Sequence, residues 1–265
     1  MPMSIRTYAD LTGRDQSGLG EQVAEQHARV RHRLAGVRRV VGVVSGKGGV
    51  GKSYVTAHLA TALARAGQAV GVLDADFNGP TVARLLSTDP SERLRIQGDA
   101  VVPVVGRDGV RCMSMTYLLE DGRPLTFRGP EHDSFVWRGA AEAAALREFL
   151  ADVAWGALDV LLIDLPPGIQ RCLELCDLLE QPPEGVTVTI PTPESGEAVR
   201  RALRAAADRG VRLLGIVENM VGPEFPGDAA ETLSQEFAIP VLARLPFHPI
   251  PDLWNSLATR VRGAS

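Results

Sequence analysis

The chain has 265 residues, 45% of them hydrophobic and 23% charged, a balance that excludes a mostly disordered polymer and can fill a core without staples. A formal net charge of −4 argues against wholesale affinity for nucleic acid, and three cysteines are too few for a disulfide scaffold. No apolar run reaches the ~18 residues of a membrane span, and Arg38-Arg39 precedes only a short apolar stretch, so a cytoplasmic setting without a membrane is expected.

In chain order, residues 1–20 are polar, with Gly13, Gly18 and Gly20, and read as a loose tail. Residues 21–35 place Val23, Val30 and Leu34 on one side of a helix. Arg29, Arg31, Arg33, Arg38 and Arg39 form a run free of acids. It is read as a solvated face of a helical extension, residues 1–37, with partner or nucleic-acid docking as the alternative. From residue 39 strands and helices alternate. The pattern predicts a strand at 39–44, a glycine loop, a helix at 52–66 ended by Gly67, and a strand at 69–73. Short strands follow at 101–105 and 110–113, then a helix at 139–153 and a continuous apolar strand at 158–163. The chain continues with strand 186–190, helix 194–209, strand 211–217, helix 228–237, strand 240–245 and a helix near 252–261. Repeated βα units make this an α/β chain with a mostly parallel sheet and helices on both faces, in one domain spanning 38–265.

The chemistry begins in the first loop. Only two of the 28 basic residues are lysines, and both fall in Gly46-Lys47-Gly48-Gly49-Val50-Gly51-Lys52-Ser53. The segment fits the G-x-x-x-x-G-K-[ST] pattern and lies between a predicted strand and a predicted helix. The backbone N–H groups of residues 46–54, Tyr54 included, can cradle phosphate oxygens at a helix N-terminus. Lys52 is expected to contact the β- and γ-phosphates, and Ser53 to hold Mg²⁺. Farther on, Leu161-Leu162-Ile163-Asp164-Leu165-Pro166-Pro167-Gly168 is an apolar strand ending in an acid. Asp164 would hold Mg²⁺, and the Gly168 N–H could sense the γ-phosphate. A guanine-specifying Asn-Lys-x-Asp motif cannot exist, because neither lysine lies outside the loop, so the nucleotide is expected to be ATP.

The early Lys47 makes the loop resemble the deviant Walker A motif of the MinD/ParA/Mrp class of P-loop ATPases, whose fold is Rossmann-like. That resemblance implies a homodimer in which Lys47 reaches the partner's nucleotide. It also implies that Asp76, in Asp74-Ala75-Asp76, orients the attacking water, that Asp74 supports the Mg²⁺ shell, and that Asn219 contacts adenine opposite the loop at Pro246. The segments Asp74-Ala75-Asp76-Phe77-Asn78-Gly79-Pro80, Met113-Ser114-Met115, Val136-Trp137-Arg138-Gly139 and Val217-Glu218-Asn219-Met220 are similar to the Mrp/ApbC-type subgroup, which carries or inserts iron–sulfur clusters.

One departure is chemical. The subgroup's Cys-x-x-Cys after the Asn-Met pair is replaced here by Val221-Gly222-Pro223-Glu224-Phe225-Pro226-Gly227-Asp228. Cys172 and Cys176 lie one helical turn apart and are read either as small apolar residues on a core-facing helix or, less favoured, as ligands of a relocated iron–sulfur cluster. Three functions stay open: a Mg²⁺-dependent ATPase of cluster assembly with an apo-protein client, a MinD/ParA-like positioning ATPase, and a cluster-free partner of a cysteine-bearing paralogue. Leu253, Trp254, Leu257 and Val261 give the last helix one apolar face, expected to pack on the body rather than grip a membrane.

Overall fold

The computed structural model describes residues 19–77, 79–88, 94–118 and 135–264. The tail 1–18 and Asn78, both part of the sequence reading, lie outside them, as do the side chains of Val136, Trp137 and Arg138. Helix α1 (Leu19–Leu34) leads into β1 (Val40–Ser45), and the glycine loop then opens α2 (Lys52–Arg65). Strand β2 (Val70–Asp74) is followed by the short α3 (Val82–Leu85), then β3 (Arg95–Gln97), β4 (Ala100–Val102), β5 (Val104–Val105) and β6 (Arg111–Ser114). Helix α4 (Phe135–Asp152), β7 (Val160–Asp164), α5 (Gln170–Leu178), β8 (Glu184–Thr189) and α6 (Pro193–Asp208) come next. The chain ends with β9 (Arg212–Glu218), α7 (Ala229–Phe237), β10 (Val241–Arg244) and α8 (Pro251–Gly263).

Eight strands form one sheet in the order β10-β9-β8-β1-β7-β2-β6-β5. All neighbours are parallel except the edge pair β5–β6. The segment expected as one strand at 101–105 is two, with Pro103 between them. Proline has no N–H for a ladder, so the chain changes partner there: β4 pairs antiparallel with β3, and β5 returns to the sheet edge.

The central strands are apolar on both faces because both are covered. In β7, Val160 and Leu162 enter one core with α2 and α8, while Leu161 and Ile163 enter the other with α1, α4 and α5. This two-residue alternation inside a continuous apolar run is what a doubly covered strand requires. The last helix packs as expected, with Trp254, Leu257 and Val261 buried. Among the described residues no helix is long and apolar enough to cross a membrane.

The arginine run is largely the solvated face expected, with Arg29, Arg31 and Arg38 53%, 56% and 80% exposed and only Arg33 and Arg39 half-buried, but each of the five also meets an acid. Arg29 pairs with Asp152, Arg31 with Glu180, Arg33 with Asp99, Arg38 with Asp159 and Arg39 with Glu184. Val30 of α1 is buried in the core formed with α4. The N-terminal helix and the segment after it are therefore tied to the body by pairs 66 to 149 positions apart in sequence. Each exposed pair is worth only ~0–1 kcal/mol. Arg39–Glu184, whose side chains are 18% and 15% exposed, is the best sheltered with an N–O distance of 2.7 Å.

Candidate nucleotide-binding site

The glycine loop sits at the C-terminal ends of the parallel strands, the crevice where open α/β sheets take ligands. Gly51 caps α2 with φ 81°, a left-handed conformation, and no side chain caps that helix end. Its free N–H groups and partial positive charge therefore face the loop. Gly46 packs so closely on α6 that a Cβ would stand 2.4 Å from the Ala198 carbonyl carbon. The start of the loop is thus pressed against α6, whereas a Cβ at Gly48 would meet only the Pro167 side chain at 4.0 Å and one at Gly49 nothing within 4 Å.

Three strand ends bring the acids together. Asp74 and Asp164 are direct register partners on β2 and β7, and Ser114 of β6 is the register partner of Asp74. Lys52 Nζ donates to Asp164 Oδ1 at 2.7 Å, and Ser53 Oγ donates to Asp164 Oδ2 at 2.6 Å. Thr56, one turn along α2, adds a third bond to Asp164 at 2.9 Å. Asp164 and Asp74 are fully buried, and Lys52 is 6% exposed.

Asp74 Oδ2 accepts from the Val82 N–H and from Ser114 Oγ, both at 3.1 Å, while its buried Oδ1 has no partner. Burial, reinforced by the neighbouring Asp164 charge, pushes the Asp74 carboxyl up to about 7. Burial also raises half-buried Asp76, with Lys52 pulling the other way. One ammonium among three carboxylates leaves this corner rich in hard oxygen donors. The orphaned Asp74 Oδ1, the Ser53 hydroxyl and Asp164 form a donor set that fits Mg²⁺.

Asn219 Nδ2 donates to the Val50 carbonyl at 2.9 Å, so the residue after β9 is locked to the glycine loop. Pro246 lies in the exposed turn after β10, tied to the Asn219 segment by the Val221 N–H to Leu245 carbonyl bond at 2.9 Å. Beyond it, Phe247 stacks on Phe225 with ring centres 6.0 Å apart. Gly168, with φ 96°, donates its N–H to the Ser45 carbonyl at 2.8 Å in this structure. Lys47 is half-buried, and no described carboxylate lies within 4.0 Å of its ammonium. Tyr54 contributes only backbone to the loop. Its ring leaves the site to pack on His58 and Trp254, with centres 4.0 and 5.7 Å away.

That aromatic cluster carries a pH dependence. His58 Nδ1 lies 2.9 Å from the Tyr54 carbonyl, which can only accept, so Nδ1 holds the proton of the neutral ring. Burial holds the imidazole below its ordinary 6.5, the Tyr54 carbonyl opposes this, and Arg107 and Arg65 add to the lowering. The unfolded chain therefore takes up the proton first as pH falls. The stability from the neutral ring is complete above 6.5 and is lost as pH drops through the lowered value. Thermal melts between pH 7.5 and pH 5 should show this loss, and His58→Gln should flatten it. An equally steep decline in the variant would remove His58 as its cause.

Sequence reasoning assigned no role to Thr56 or Ser114. Thr56 stands four residues after Lys52, on the same helix face, and that spacing was the available signal. Ser114 lies in the Met113-Ser114-Met115 segment that carries the resemblance, but only strand register shows that it faces Asp74.

A profile described as NUBPL iron-transfer P-loop NTPase matches residues 36–256. The chain belongs to this family. An iron–sulfur cluster carrier protein of Saccharolobus solfataricus is 34% identical over 248 residues, covering 89% of this chain and 80% of that protein. The cytosolic Fe-S cluster assembly factor NUBP2 of Bos taurus is 40% identical over 240 residues, 84% of each chain. Among solved structures, a nucleotide-binding protein of Archaeoglobus fulgidus in complex with ADP is 31% identical with a TM-score of 0.69, covering 89% of this chain and 93% of that one. The cell division ATPase MinD of Pyrococcus furiosus, at 21% identity and a TM-score of 0.58 over 86% of this chain and all of that one, shares the fold.

For a member of an iron-transfer P-loop NTPase family, the placement of the thiols matters. Cys172 is 1% exposed inside the core shared by α1, α4 and α5, and burial pushes its thiol up to about 12. Cys176 is half-buried, and its thiol is also raised by burial. A metal ligand must be a reachable thiolate, and Cys172 is neither. The placement is that of a small apolar residue. Among the described residues no group of three or more His, Cys, Asp or Glu is arranged to hold a metal ion by protein side chains alone.

Proposed function

We propose that this chain is a Mg²⁺-dependent ATPase that works in the assembly of iron–sulfur clusters and closes as a homodimer on ATP. The observation that carries the reading is the contact of Lys52 and Ser53 with Asp164 at the mouth of the glycine loop, in a chain of this family. ATP binding would exchange the Asp164 carboxylate on Lys52 for phosphate oxygens, and the loop N–H groups would take the remaining phosphate charge. Ser53, Asp164 and Asp74 would hold Mg²⁺, which supplies charge neutralisation at the phosphates. Asp76, half-buried and raised by burial, would orient the attacking water. Gly168 would report hydrolysis by exchanging its bond to Ser45 for one to the γ-phosphate. The relatives named as cytosolic assembly factors support a cytoplasmic setting.

Lys47 tests the dimer. An ammonium with no acid of the described residues within 4.0 Å would be available to a second nucleotide. Lys47→Ala should lower kcat about 100-fold or more, the range for losing one charge-stabilising donor, and abolish ATP-dependent dimerisation in size-exclusion chromatography. Unchanged turnover would refute the trans-acting role.

The absence of cysteine from residues 221–228 and the burial of Cys172 favour a second arrangement, in which a cysteine-bearing paralogue supplies the cluster ligands and this chain supplies the nucleotide switch. Anaerobic reconstitution with iron and sulfide separates the two. Stoichiometric cluster on the chain alone, lost in a Cys172→Ser/Cys176→Ser double variant, would favour self-sufficient carriage. No cluster in either protein would favour the paired arrangement. A MinD-like positioning role finds no support in α8, whose apolar face is already buried.

A further inference from the structure

Glu218 ends β9 with its side chain only 3% exposed, although it belongs to none of the phosphate- or metal-facing groups described above. A buried carboxylate is costly unless its bonds are made, and both of its oxygens are engaged. Oε1 accepts the Ala230 N–H at 3.0 Å, in the first turn of α7. The N-cap residue of that helix, Asp228, makes no side-chain cap bond, so the cap comes from Glu218 on another element. Oε2 accepts from Arg244 Nε at 3.2 Å, at the end of β10, and Arg244 Nη2 reaches Glu231 Oε2 at 2.9 Å.

One carboxylate therefore joins the end of β9, the start of α7 and the end of β10. The next residue after Glu218 is Asn219, held to the Val50 carbonyl, and two residues after Arg244 comes Pro246. The backbone repeats the tie, because the Leu245 N–H donates to the Glu218 carbonyl at 2.8 Å. Both loops proposed to flank the base thus hang from the Glu218 side chain.

We propose that Glu218 is a positioning residue for nucleobase recognition. Its charge-assisted bonds to Ala230 and Arg244 set the separation between the Asn219 segment and the Pro246 turn, and so the width of the slot that admits adenine. The inference rests on the reading of Asn219 as the base contact. Charge-assisted bonds hold the slot more tightly than neutral ones, so their loss should blur discrimination between bases more than it slows phosphate chemistry.

The test measures ADP and GDP binding by calorimetry and steady-state hydrolysis of ATP and GTP, on the full chain. Glu218→Ala should reduce the adenine-over-guanine preference about tenfold, the equivalent of one such bond. The loss should fall on KM rather than kcat. Glu218→Gln, which keeps an acceptor for Ala230, should restore most of the preference. Arg244→Ala, which cuts the network from its exposed side, should give an intermediate loss and decides the matter if Glu218→Ala does not fold. A folded Glu218→Ala, or Arg244→Ala, with the wild-type preference would overturn the proposal. Asn219→Ala distinguishes its failure from that of the underlying reading. If Asn219→Ala abolishes the preference while Glu218→Ala and Arg244→Ala keep it, only the positioning role falls. If Asn219→Ala keeps the preference, the base-contact reading falls and takes this inference with it.

Discussion

Replacing Lys52 with alanine is expected to reduce ATP hydrolysis by about 100-fold or more, and also to destabilise the nucleotide-free chain. The second effect follows from what surrounds the ammonium. Lys52 is buried against Asp164, and its charge also pulls down the carboxyls of Asp74 and Asp76. Without it, Asp164 keeps only the hydroxyls of Ser53 and Thr56, and a buried carboxylate loses its counter-charge. Breaking a buried pair from one side costs about 3–5 kcal/mol. The cost should depend on pH with a definite sign. Asp74 is pushed from 3.8 up to about 7, so the folded chain holds a proton that the unfolded chain sheds between those values. Stability from this group therefore falls as pH rises through that window. Removing Lys52 moves the upper end of the window higher. Urea melts of Lys52→Ala against wild type should show a larger deficit at pH 8 than at pH 6. Equal deficits would mean that Lys52 does not govern the state of Asp74.

Gly51→Ala is expected to cost ADP affinity about 100-fold or more, whereas Gly49→Ala, in the same loop and at nearly the same φ, should cost far less. Both glycines adopt the left-handed region, at φ 81° and 82°, so both alanines carry a backbone penalty of about 1–2 kcal/mol. Their surroundings separate them. A Cβ at Gly49 meets nothing within 4 Å, but at Gly51 it would stand 2.3 Å from Asn219 Nδ2. Asn219 would have to release the Val50 carbonyl and leave its place, or α2 would have to shift away from the loop. Either movement separates the helix end, the glycine loop and Asn219, the proposed base contact, which a nucleotide would have to meet at once. Calorimetric titration with Mg-ADP resolves the two variants. Equal losses for both would mean that backbone strain alone, and not the approach of Asn219, makes glycine necessary at position 51.

The local chemistry of this site was legible along the chain. The spacing of Gly46, Gly51, Lys52 and Ser53, the apolar run ending in Asp164 and the confinement of both lysines to one loop point to the proposed phosphate site, because each signal acts over a few residues. The parallel sheet was equally legible, since a two-residue period and strand–helix alternation survive in one dimension. The split at Pro103 could also have been read from the missing N–H. Other features depend on neighbours that the sequence does not place side by side. Asp164 meets Lys52 across 112 positions, and Arg39 meets Glu184 across 145. Asp74 and Ser114 face one another only because β2 and β6 are adjacent in register. The arginine run read as a solvated face, which it largely is, but its ion pairs were not legible because nothing local shows acids waiting on β8, at the end of α4 and on the segments before β4, β7 and β8. Cys172 and Cys176 shared a helix face in either reading, and only the packing of α5 decided which face was the core. Glu218 looked like one acid at a strand end until α7 and β10 closed around it. Backbone propensity and side-chain period are set by near neighbours, so the sequence alone determined the elements and the phosphate loop. Burial and charge pairing are set by the sheet order, so only the tertiary structure decided which carboxylates hold Lys52, which arginines are bound and which thiol lies out of reach.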